Sequence, residues 1–306
     1  MGASQKYCKG TKNFRCFEVK KMETLSKWNY IAAAVHLGAA IYTALVLKNR
    51  SKRLVEVFRL QFDDSVPPSE SRVDIPVKIE PKEKVDLKFL VVAFFAITSF
   101  AHLLYANDFF GKGWYSSQLL GFGWNPFRWI EYSLTAGIMI YLISIASGTK
   151  EQVSAISNAL ITPGLMINGF TNERALQQND LSRWSLNPTE LSKPHVDSLI
   201  VFSNLIPGWA LFGVHWYVIL SNYAKLSKEA KDANRPFDRS VSFMVYSQLI
   251  FFSLFGVIQT FQVYRWATAR AGRIEPSYIA YEKAYIVLSA VTKLVLAGTV
   301  VYALRD

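Results

Sequence analysis

The sequence predicts an all-α membrane protein, a bundle of seven transmembrane helices with a β-hairpin in the loop between helices 1 and 2. Three observations predict it. Apolar residues make up 51 % of the 306 positions and mean hydropathy is above zero, which is too apolar for an ordinary soluble domain of this size. Seven segments, each about 20 residues and long enough to cross a hydrocarbon core, lie at 28–47, 87–106, 127–147, 153–170, 198–221, 241–264 and 281–303. Between the first two, the connection shows a two-residue alternation of apolar and polar positions, the period of a strand with one buried face.

The chain opens with a polar, basic tail, residues 1–27, in which Lys6, Lys9, Lys12, Arg15, Lys20, Lys21 and Lys27 outnumber Glu18 and Glu23. The first apolar run is span-length, so it reads as a retained anchor and not as a cleaved signal. Met1-Gly2 begins like a myristoylation signal, but Lys6 occupies the place where Ser or Thr is needed. Cys8 and Cys16 both fall in this tail and make no disulfide framework. A net charge of +11 suits basic loops facing anionic headgroups, and nucleic acid is not an expected partner. Basic residues divide almost evenly between the two sides of the membrane, and the positive tail tips the balance toward a cytoplasmic N-terminus. That leaves an extracellular C-terminus at 304–306, with the membrane domain at 28–303 between them.

The first connection, 48–86, extracellular if the N-terminus is cytoplasmic, is expected to form a β-hairpin over the mouth of the bundle, with a flexible polar loop as the alternative. Val73, Ile75, Val77 and Ile79 alternate with charged residues or proline, and Arg53 to Phe62 alternates less cleanly. Pro67-Pro68 and Pro81 mark expected turns or ends. The fourth span is the weakest, interrupted by Pro163-Gly164, so six spans is the fallback.

Among the 34 lysines and arginines, Lys293 stands out because it lies midway along the last apolar run. A lysine at bilayer depth costs at least about 2.5–3.5 kcal/mol on insertion scales, which makes it a functional-site candidate. An ion pair with a buried carboxylate offsets that cost. So does a covalent Schiff base whose charge is itself paired. The bland alternative is a lysine snorkelling from a short span. Two carboxylates are candidate partners. Glu282, beside Lys283, is expected at headgroup level, whereas Glu131 lies inside the third span and shares a helical face with Thr135 and Ile138-Met139. Glu131 has its own bland alternative, a pair with Arg128 three residues earlier.

Ser289 lies one turn before Lys293 on the same face, and His36 and His102 sit in the first two spans, each flanked by apolar residues. A lone buried histidine is usually structural, but two in neighbouring spans suggest a polar pocket. His215, beside Trp216 in the fifth span, is less informative.

These residues carry a resemblance. Seven spans with a lysine midway along the last look like a rhodopsin-like bundle, and the local sequences resemble the heliorhodopsins. Phe127-Arg128-Trp129-Ile130-Glu131-Tyr132-Ser133-Leu134 is similar to that family's counterion motif. Glu282-Lys283-Ala284-Tyr285-Ile286-Val287-Leu288-Ser289, followed by Lys293, is similar to its retinal-binding helix. Phe251-Phe252-Ser253-Leu254-Phe255 with Gln259 and Gln262 resembles its sixth span. Pump rhodopsins usually place an aspartate four residues before the lysine, where this chain has Ser289.

The resemblance implies all-trans-retinal joined to Lys293 as a protonated Schiff base with Glu131 as counterion. It implies Ser289, Tyr132 and Ser133 holding the proton, His36 and His102 lining a watery cavity, and Met139, Trp209, Phe252 and Gln259 lining the chromophore. It also implies the cytoplasmic N-terminus and a homodimer in membrane lipid. One departure is Thr135-Ala136-Gly137, where relatives tend to have a serine-rich run.

For function, a light sensor with a slow photocycle and an unknown cytoplasmic signalling partner is expected first, because the spans offer no second deep carboxylate to reload the Schiff base. Light-activated proton or ion passage and light-dependent regulation of a bound enzyme or transporter are the alternatives. No enzymatic motif is present beyond the lysine.

Overall fold

A computed structural model describes residues 13–50, 54–62, 77–108, 125–184, 198–268 and 277–304. Seven helices and one hairpin follow in order: α1 (Asn13–Val46), β1 (Leu54–Phe62), β2 (Val77–Asp86), α2 (Leu87–Ala106), α3 (Pro126–Ala146), α4 (Gln152–Trp184), α5 (Ser198–Asp232), α6 (Arg239–Thr268) and α7 (Ser277–Ala303). Helix α2 packs beside α1, α3 beside α4 and α6 beside α7, and α7 closes the ring against α1. This is the predicted helical bundle with its hairpin.

Six of these helices contain, among the described residues, a segment long and apolar enough to cross a membrane. The fourth is one of them. Pro163 sits inside a continuous α4 and does not break it. Helix α5 covers the expected 198–221.

The bundle is turned inside out relative to a soluble protein. Tyr42, Leu45, Phe89, Phe100, Leu160, Ile206 and Phe261 are exposed on its outer face, where lipid tails solvate them, while Asn29, His36, Thr98, Arg128, Glu131 and Lys293 are buried inside. The apolar core runs through Phe94, Phe95, Met139, Ile140, Ile143, Ile219, Val245 and Leu296.

The hairpin is antiparallel, pairing Leu54 with Asp86 through to Phe62 with Val77. Val73, Ile75 and Pro67-Pro68 lie outside the described residues. Pro81 does not end a strand. It lies within β2 opposite Phe58, next to a register shift between Val57 and Phe58, as fits a residue with no N–H for the ladder. The hairpin rests on the turn between α3 and α4: Phe58 N–H donates to the Lys150 carbonyl at 3.0 Å, and Val57 packs on Ile145 and Ala155. Strand β2 runs straight into α2, whose N-cap Asp86 accepts from Lys88 N–H at 2.9 Å.

Candidate functional site

Side chains on a helix lean toward its N-terminus. Lys293 on α7 therefore reaches back one turn, and its Nζ donates to Ser289 Oγ at 3.0 Å. The same Nζ donates to Glu131 Oε1 on α3 at 2.8 Å and to Thr98 Oγ1 on α2 at 2.6 Å, so all three ammonium donors are used. Glu131 Oε1 also accepts from Thr98 Oγ1 at 2.6 Å and from Thr135 Oγ1, one turn along α3, at 3.0 Å. Lys293 is 3 % and Glu131 6 % exposed. Two buried charges survive only when paired and hydrogen-bonded in this way. The sequence supplied both ends of this pair but missed Thr98, which lies one turn before His102 on the same face of α2.

A second polar group adjoins it. The His36 and His102 rings stack at 5.5 Å, 18° from parallel. His36 Nδ1 donates to the Ala32 carbonyl at 2.6 Å. His102 Nδ1 donates to Asn29 Oδ1 at 2.7 Å, the tautomer being fixed because Asn29 Nδ2 donates to the Leu25 carbonyl. His36 Nε2 is buried with no hydrogen-bond partner among the described residues. His215 belongs elsewhere, held by Asn158 Oδ1 at 3.0 Å and Thr162 at 3.3 Å between α4 and α5.

From Lys293 an apolar chamber extends between α3, α4, α5, α6 and α7. Tyr132, Met139, Trp209, Phe252, Gln259 and Ser289 line it with Lys293, and Trp129, Phe212, Phe255 and Tyr285 complete its aromatic walls. Two glycines let indoles come close against the backbone. A Cβ at Gly169 would fall 2.2 Å from the Trp129 ring, and one at Gly256 would fall 2.8 Å from Trp209. Trp209 is exposed at 38 %, with its N–H on Thr260 Oγ1 at 3.2 Å, and Gln259 Nε2 donates to the Gly169 carbonyl at 3.1 Å. Ser133 does not join this group. Its hydroxyl turns back to the Trp129 carbonyl on its own helix at 2.7 Å, the usual recourse of a helical serine without a tertiary partner.

A second ionic group stands apart from this pair. Glu282 is 2 % exposed, and Arg128 pairs with acids other than Glu131. The Arg128 guanidinium bridges Glu173 on α4 and Glu282 on α7. Glu173 also accepts from Trp129 Nε1 at 2.8 Å and Gln262 Nε2 at 3.2 Å, and Glu282 accepts from Asn125 Nδ2 at 2.8 Å. Asn125 is the N-cap of α3, its Oδ1 accepting from Arg128 N–H at 3.2 Å. Glu173 was missed because the fourth span was ended at 170. Arg128, Glu173 and Glu282 are thus buried charges as well, each near the end of its apolar span, whereas Lys293 lies midway along its own.

Chemically, this arrangement offers a nucleophilic amine with a fixed anion beside it, at one end of an apolar sleeve of rings that excludes competing charge. A long apolar aldehyde fits such a site: the amine receives the carbonyl carbon, and the rings pack the tail. A family model described as Heliorhodopsin matches residues 25–304. Among curated proteins, none matches the chain.

Proposed function

Since this chain belongs to the heliorhodopsins, retinal-binding, light-sensing rhodopsins of the membrane, we propose that it is a photoreceptor carrying all-trans-retinal as a protonated Schiff base on Lys293, with Glu131 as counterion. The observation that carries this reading is the buried Lys293–Glu131 pair at the mouth of an aromatic chamber. When bound, retinal supplies light absorption and a change of shape.

The chain's own residues do the rest. Glu131 neutralises the cation at the Lys293 nitrogen, and Thr98 and Thr135 hold its carboxylate in place. Ser289 and Tyr132 stand beside the nitrogen, with the Tyr132 ring 5.5 Å from Nζ. Met139, Trp209, Phe252 and Gln259 shape the sleeve. His36 and His102 form a polar annex in which the bare Nε2 of His36 can take a proton or a water. Signalling reaches a cytoplasmic partner from a protein that sits as a homodimer in lipid, with residues 1–27 in the cytoplasm.

The test is the absorption spectrum of protein expressed with all-trans-retinal, beside Lys293→Ala. A visible band that the substitution abolishes supports the reading. Folded protein with no visible band, even at acid pH, would leave Lys293 and Glu131 as a transporter-like ion pair.

A second reading, light-activated proton passage, gains from two further buried carboxylates, Glu282 and Glu173, the latter missed from the sequence. Photocurrents under voltage clamp separate the two. Currents that reverse with the proton gradient favour passage, and their absence favours the sensor.

A further inference from the structure

The geometry points to Trp129 as the positioning residue through which the chamber acts on the Arg128–Glu173–Glu282 cluster, an inference that rests on the photoreceptor reading above.

Trp129 belongs to both places at once. One side of its ring is a wall of the chamber, and its indole N–H donates to Glu173 at 2.8 Å. The ring has no room to retreat, because the backbone of Gly169 lies directly behind it, so close that even a methyl group there would sit 2.2 Å away. The Arg128 guanidinium lies 5.0 Å from the Trp129 ring and 4.2 Å from that of Tyr285, which is also a chamber wall. Of the two rings, Trp129 is the one bonded to a carboxylate of the cluster.

A charge-assisted hydrogen bond in a buried site is strong and steep in its geometry. A change of shape in the chamber that pushes the indole must therefore lengthen or turn the bond to Glu173. Glu173 then leans more on Arg128, whose two arms hold α4 and α7 to α3. The cluster lies where α3 and α7 begin and where the apolar span of α4 ends, at the end of the bundle from which α1 also starts. In this way an event in the chamber reaches the face that carries the basic tail without moving the Lys293–Glu131 pair.

Light-minus-dark infrared difference spectroscopy on the pigmented protein tests this directly. The wild type should show a carboxylate difference band that disappears in Glu173→Gln. The same band should be lost in Trp129→Phe, wherever its visible band falls. A Trp129→Phe pigment that keeps the Glu173 band overturns the coupling, as does a wild-type pigment with chromophore bands but none from Glu173. Should Trp129→Phe fail to fold, Gly169→Ala displaces the ring while keeping every donor. It should shift the visible band and the dark Glu173 band together, and a shift of the visible band alone overturns the proposal. In chromophore-free protein, the Tm losses of Trp129→Phe and Glu173→Gln should combine less than additively, and additivity counts against the link. A wild type with no visible band sinks the photoreceptor reading itself, a result distinct from a pigment whose Glu173 stays silent.

Discussion

Thr98 donates its hydroxyl to Glu131 Oε1 at 2.6 Å, and its oxygen receives a hydrogen bond from Lys293 Nζ, also at 2.6 Å. One neutral side chain from α2 thus touches both members of the ion pair that ties α3 to α7. It spreads the negative charge of Glu131 away from the nitrogen and fixes the spacing of the pair.

Thr98→Val keeps the shape and removes both contacts. Without the donor, the Glu131 charge concentrates toward the Lys293 nitrogen, so the pigment band should move to shorter wavelength. Leaving buried partners short of one hydrogen bond should also cost about 1–3 kcal/mol. A visible spectrum and a denaturation series of the variant check both, and an unmoved band would show that Thr98 does not tune the counterion.

Glu131→Gln strands the Lys293 charge in chromophore-free protein. Breaking a buried pair from one side costs about 3–5 kcal/mol, whereas replacing both charges by apolar groups is often close to neutral. Lys293→Met with Glu131→Gln should therefore unfold later than Glu131→Gln alone. Equal unfolding midpoints would mean that the charge is not the source of the loss.

Arg128→Met should be worse than Glu282→Gln. The first leaves two carboxylates, on α4 and α7, without their shared cation, and the second leaves one ion pair intact. The difference should be on the order of the 3–5 kcal/mol seen when a buried partner is removed. Thermal unfolding in detergent, or the yield of folded protein in the membrane, ranks them.

Gly148 closes the turn after α3 with φ at 104°, and a Cβ there would meet Leu226 at 3.1 Å. Gly148→Ala should cost about 1–2 kcal/mol for the left-handed backbone alone. The loss should fall on the α3–α4 turn that supports the hairpin, so hydrogen exchange at Phe58 N–H should rise. Unchanged exchange there would show that the hairpin does not depend on this turn.

Much of the fold is legible from length and apolarity. Segments 87–106 and 127–147 match α2 and α3 to within a residue at each end, because α2 is introduced by Asp86 and α3 by the Asn125-Pro126 cap, signals local to the chain. Where local signals mislead, tertiary packing explains the miss. Pro163-Gly164 reads as a break in isolation, yet α4 stays helical through both residues because the adjacent helices hold it. Pro81 reads as a strand end, but it falls within β2 beside a register shift, where a residue without an N–H is tolerated.

The site divides the same way. Lys293 and Glu131 stand out because a charge inside an apolar run is costly wherever the run lies, and that is a property of sequence. Partner choice is not. Arg128 and Glu131 are neighbours on one helix at the spacing that usually pairs, but Arg128 turns to Glu173 and Glu282 while Glu131 takes Lys293, 162 residues away. The sequence by itself determined that this protein is a membrane bundle with a charged interior pair at Lys293. Only the tertiary structure decided which acid meets which base, because burial makes every charge seek the partner that packing brings within reach, regardless of how far along the chain it lies.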